Sequence, residues 1–186
     1  NDPLISILLS RFHPLFGGLA QPSGLIDARL DSLWWPAGEG GWNEANFVTI
    51  FDVRGIELES KSQLKNILTL FELEKEKLKL RDNEIYCIGK KGRIKCSPVR
   101  VMAGDVEIVL SGSTALDRSL AYEIEVPITG KLVSTEESRP LDGAGVKVAV
   151  TGTIEDPAFD KETVTSEIQR LLKQVADETN NKTDGT

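Results

Sequence analysis

Leu120-Ala121-Tyr122-Glu123-Ile124-Glu125-Val126-Pro127-Ile128 sets an apolar residue at every second position. Successive side chains of an extended chain point to opposite sides, so a period of two is the mark of a β-strand with one buried face. Five apolar side chains then share that face, each contributing roughly 1.5–3 kcal/mol when buried. Something must cover them. Outward along the chain the pattern recurs at Val106, Ile108 and Leu110, and again at Val146, Val148, Val150 and Ile154. Earlier, Leu78 and Leu80 alternate with charged residues, and Glu84 to Ile88 meets Arg93 to Val101 around Gly89-Lys90-Lys91-Gly92, a hairpin signal. Parallel strands need a crossover of about a dozen residues or more. These links are shorter, which predicts an antiparallel meander; only the polar stretch 130–145, through Glu136, Glu137 and Pro140, has length for a jump.

In the first half, Asn1 or Asp2 can cap a helix, Pro3 suits its first position, and Leu4, Ile7, Leu8 and Phe12 keep helical spacing over about 3–12. His13 to Ser23 is punctuated by Pro14, Gly17, Gly18 and Pro22 and reads as linker. Gly24 to Asp31 alternates Ile26, Ala28 and Leu30 with Asp27, Arg29 and Asp31, a strand with one wet side. The glycine-rich loop 34–42 carries all three tryptophans, Trp34, Trp35 and Trp42, which are expected to clip it to an apolar rim or to meet a partner. Asn46 to Val53 is a second strand, continued after Gly55 by Ile56 and Leu58. Ser60-Lys61-Ser62-Gln63 reads as a capping box, and Leu64, Ile67, Leu68 and Phe71 predict a helix over 61–73. At the other end Asp160 caps a helix over 160–176 with Val164, Ile168, Leu171, Leu172 and Val175 on one stripe, and 177–186 is a polar tail.

The chain has 186 residues, 40% hydrophobic and 27% charged, enough for one domain with a real core. Its net charge of −7 disfavours nucleic acid and anionic bilayers as general partners. One histidine, His13, and two cysteines, Cys87 and Cys96, cannot assemble a four-ligand zinc site. No long apolar run or leader is recognisable, so the chain is expected to be soluble; its start at Asn1 reads as a piece cut from something longer or as a mature chain.

No catalytic constellation emerges, and no cofactor or metal is expected. Gly89-Lys90-Lys91-Gly92 lacks the preceding glycine and following Ser or Thr of a phosphate loop, and no helix pattern follows Gly38-Glu39-Gly40-Gly41. Ser111-Gly112-Ser113 is no nucleophile elbow, and His13 lies in a separate segment, where a helix cap or partly buried ring is its ordinary role. Glu136 and Glu137 sit on a polar link and read as solvated. Cys87 and Cys96 flank the hairpin and can face each other across it; a bridge and two free thiols both fit, and a bridge would point to an oxidising compartment.

Three stretches carry a family likeness: Val106 to Asp117 (VEIVLSGSTALD), Leu120 to Pro127 (LAYEIEVP) and Val146 to Phe159 (VKVAVTGTIEDPAF). A strand ending in Gly-Ser or Gly-Thr, a following Leu-Asp and Leu-x-Tyr, and a later strand closing on Gly-Thr-x-x-x-Pro resemble the C-terminal region of the AsmA-like family, relatives of TamB-type envelope proteins. The likeness is best over 78–160 and looser over 24–60. It implies a periplasmic protein held in the inner membrane by an N-terminal segment that this chain lacks. It further implies an elongated curled sheet that conducts phospholipid or other acyl lipid toward the outer membrane, without catalytic residues.

The expectation is therefore a single α+β domain, with a curved, mainly antiparallel sheet over 24–159 packed with two or three helices and a concave face that is elongated or partly open. Val106, Ile108, Leu110, Leu120, Tyr122, Ile124, Val126, Ile128, Val146, Val148 and Val150 would line that face and solvate acyl chains. The alternative is a closed core in a scaffold or protein-interaction module of the envelope that uses an exposed edge or the tryptophan loop.

Overall fold

The computed structural model describes residues 13–16, 19–36, 41–73, 78–129 and 140–183. The alternating segments form strands β1 (Ala20–Trp34), β2 (Asn46–Ser60), β3 (Leu78–Leu80), β4 (Asn83–Lys90), β5 (Arg93–Ala103), β6 (Val106–Ala115), β7 (Leu120–Thr129), β8 (Pro140–Gly152) and β9 (Pro157–Ala158). Helix α1 (Ser62–Leu70) follows β2, and α2 (Lys161–Thr183) follows β9. Pro14–Phe16 is a 3-10 turn and Gly41–Glu44 a single helical turn. The fold is α+β: a curved meander in which every neighbouring pair is antiparallel and sheet order follows chain order. No jump occurs, since β7 pairs directly with β8.

β3 and β4 share one lane between β2 and β5. Asp82 fills the break between them by accepting the Gly55 amide at 2.8 Å. Prolines sit where the ladder is already interrupted: Pro98 lies in the irregularity between Cys96 and Val99, and Pro127 beside the register shift before Thr129. The β4–β5 hairpin closes on Lys91 and Gly92, both at positive φ (50° and 71°). That two-residue geometry matches the twist of paired strands and favours glycine.

Inner-face residues of β2 to β8 join Leu64, Ile67 and Leu68 of α1, Phe71, Leu73, Leu15, Leu19, and Val164 and Ile168 of α2 in one continuous core. Asp160 caps α2, accepting the Glu162 and Thr163 amides at 3.0 and 3.1 Å and the Thr163 hydroxyl at 2.6 Å. These bonds to the ionised form hold its carboxyl below the usual range.

Several expectations are corrected. β1 begins at Ala20, inside the stretch read as linker, because 20–23 pair with 57–60. β2 runs unbroken through Gly55. The capping box does not form: Ser60 is still paired with Ala20, α1 starts after Lys61, and no side chain caps it. The Lys61 amide bonds the Leu19 carbonyl instead, at 2.8 Å. Strand β8 starts at Pro140, inside the stretch read as link, and α2 extends to Thr183. The helix expected over 3–12 lies outside the described residues, as do the link residues 130–139 and the tip of the tryptophan loop, 37–40.

Candidate functional site

All eleven residues expected to line a lipid groove point inward, and none is more than 6% exposed; Ile124, Val126, Ile128 and Val148 are fully buried. Their greasy face is the protein's own core, so the expected open concave face is filled along β6, β7 and β8. The physical reason is coverage. α1 lies against β2 and α2 against β8, and Phe159, Leu116, Leu171 and Leu172 pack at the margin of the same cluster.

The residues that carry the family likeness close turns at one end of this core. Asp117 accepts the Ser119 amide at 3.0 Å and its hydroxyl at 2.7 Å, which lowers its pKa and folds the β6–β7 link. Ser119 bridges to Thr153, the Arg118 carbonyl accepts the Ile154 amide at 3.0 Å, and the Leu116 amide reaches the Gly92 carbonyl at 2.9 Å.

A small polar cluster lies inside the core. His13 is fully buried with its ring edge-on to Tyr122, centroids 4.8 Å apart. Its Nδ1 accepts the Leu15 amide at 3.2 Å, so the neutral ring carries its proton on Nε2. Burial pushes the His13 pKa down to about 3 and that of Tyr122 up to about 12. The Thr114 hydroxyl lies 3.4 Å from the Tyr122 oxygen. Cys87 and Cys96 stand opposite each other on β4 and β5, joined as a disulfide inside the core.

Exposed apolar surface collects elsewhere. Among the described residues β1 pairs only with β2, and Leu25, Leu30, Leu33 and Trp34 are all at least half exposed, with Trp35 at 44%. The two tryptophans thus keep about half of their surface in water; of the Trp42 side chain nothing is described. Next to them, a notch of about 440 Å³ opens at one end of β1, β2 and β4. Leu33, Trp34, Phe47, Val48 and Ile88 line it, and Lys90 stands at its rim. The Phe47 ring lies flat on Gly89, where a Cβ would come within 2.1 Å of it, so only glycine leaves this wall intact.

The strand alternation does not point to the notch, because it names the residues of the inner face alone. A signal for it is present. Val48 and Ile88 are apolar residues at outward positions, opposite each other in register, in segments whose inward positions are apolar as well. Among the described residues no group of His, Cys, Asp and Glu is placed to hold a metal ion, and no helix is long and apolar enough to cross a membrane. No protein-family model, curated protein or solved structure matches the chain.

Proposed function

We propose that this domain is a non-enzymatic, periplasmic module of an AsmA-like envelope protein, and that it meets phospholipid at the margin of its sheet. The carrying observation is the contrast within one sheet: the interior of β6 to β8 is sealed, whereas the end of β1, β2 and β4 presents an apolar notch with a lysine beside it. Such a surface suits an acyl segment against Leu33, Trp34, Phe47 and Ile88, with a headgroup phosphate near Lys90. Transfer of a lipid across it breaks no covalent bond. The buried disulfide fits an oxidising compartment, and the turn motifs supply the family likeness.

Photocrosslinking with a phosphatidylethanolamine carrying a diazirine in its acyl chain tests the reading. Adducts are expected on Leu33, Trp34 and Ile88. Adducts on Ile124 or Val148 would contradict a sealed interior, and absence of any adduct would remove lipid from the account. A second reading, a protein-interaction module of the envelope, draws on the filled core and the long outer edge of β1, which pairs with nothing among the described residues. Binding of an envelope protein that is lost on Trp34→Ala and Trp35→Ala, with no lipid adduct, would favour it.

A further inference from the structure

The two margins of the sheet are built differently. At one, β9 pairs with only Thr151 and Gly152 of the 13-residue β8, and helix α2 lies against β8. At the other, β1 is 15 residues long and, among the described residues, its outer edge pairs with nothing. Register irregularities at Ser23/Leu25 and Leu30/Ser32 leave a regular central run from Leu25 to Leu30. Within it, Ile26, Ala28 and Leu30 stand opposite the buried Val53, Phe51 and Thr49, so they lie on the inner face. Asp27 and Arg29 stand opposite Asp52 and Ile50 on the outer face.

Charges on an edge strand ordinarily keep other strands away. Here their placement does the reverse. Ile26-Asp27-Ala28-Arg29-Leu30 reads apolar, acidic, alanine, basic, apolar, symmetric in shape and antisymmetric in charge about Ala28. Directly opposed residues in an antiparallel pair share a face. With a two-fold axis through Ala28, Asp27 falls opposite Arg29 of the second copy and Arg29 opposite its Asp27, while Ile26 and Leu30 meet on the inner face. The outer face also supplies a need for positive charge: Asp27, Asp52 and Glu84 form one row across β1, β2 and β4, and Arg54 bridges only the first two.

We infer that two copies of this chain pair through their β1 edges, antiparallel and centred on Ala28, into one continuous sheet. This goes beyond the lipid reading and does not rest on it. The notch residues Leu33 and Trp34 lie past the Leu30/Ser32 irregularity, outside the regular run that pairs. The isologous contact closes at two copies, since pairing consumes the β1 edge of both.

Sedimentation equilibrium of the whole chain at 10–200 µM tests it (an order-of-magnitude range for a modest interface). The wild type is expected to reach twice the 20.4 kDa chain mass. Arg29→Asp and Asp27→Arg, each opposing like charges, are each expected to weaken pairing at least about tenfold. An equimolar mixture of the two variants restores it, because each then meets its opposite; recovery in the mixture also shows that both variants are folded. A wild type that stays monomeric throughout overturns the inference. So does a dimer that survives either single substitution unchanged, or a mixture that fails to recover.

Discussion

β1 and β7 carry the same kind of pattern and meet opposite fates. In β7, Leu120, Tyr122, Ile124, Val126 and Ile128 alternate with outward residues, and all five are buried between neighbours on both sides. In β1, Ile26, Ala28 and Leu30 alternate as cleanly, yet Leu30 is 57% exposed and both faces of the strand meet water. The period of two states which residues share a face. Whether that face is covered depends on neighbours, and among the described residues β1 has one where β7 has two.

Substitutions that remove equal amounts of side chain should therefore separate the two strands widely. Ile124→Ala, which leaves a cavity in a closed core, is expected to cost about 2–5 kcal/mol in urea unfolding, while Leu33→Ala at the open margin is expected to stay within about 0.5 kcal/mol. Comparable losses at both sites would break the contrast. The next effect concerns the pin between β4 and β5. Opening the Cys87–Cys96 bridge, which spans a sequence separation of 9, is expected to cost about 2–3 kcal/mol, measured as the difference between oxidised and reduced protein.

The buried polar cluster against β7 adds a pH dependence. Unfolded His13 takes up a proton below its ordinary pKa of 6.5, whereas the folded ring resists until about 3. The unfolded state thus binds more protons in that window, and stability falls as pH falls, by about 1.4 kcal/mol per unit for one group. Between pH 6.5 and 5 the wild type should lose roughly 1–2 kcal/mol more than His13→Gln. Equal losses would show that the ring is not buried against Tyr122. Smaller again is Asp160→Ala at the start of α2, expected to cost about 1 kcal/mol through loss of the cap.

Much of the architecture was legible because local chemistry and tertiary context agree. The Lys91-Gly92 turn, the meander order and the Asp160 cap all follow from residues a few positions apart. Where they conflict, the sequence pattern misleads. Ser60 has the spacing of a helix cap but stays in the sheet opposite Ala20, because a backbone ladder and the Leu19 carbonyl supply the partners first. The groove reading failed for a related reason. Alternation in β6, β7 and β8 describes an apolar face equally well whether lipid or protein covers it, and the covering groups come from other elements, α1, α2 and the N-terminal turn. The notch at Val48 and Ile88 was the readable exception, since apolar residues on both parities of a strand leave some facing outward.

The central claim is that the inner face is closed over β6 to β8 and that, among the described residues, exposed apolar surface lies along β1 and on the adjoining part of β4. Carbene footprinting of the lipid-free protein with a small water-soluble diazirine, read residue by residue, tests it most directly. The account predicts strong labelling at Leu33, Trp34 and Ile88 and none at Ile108, Ile124 and Val148. Labelling of those three interior residues at the level of Trp34 would contradict it, and would restore an open groove along the sheet.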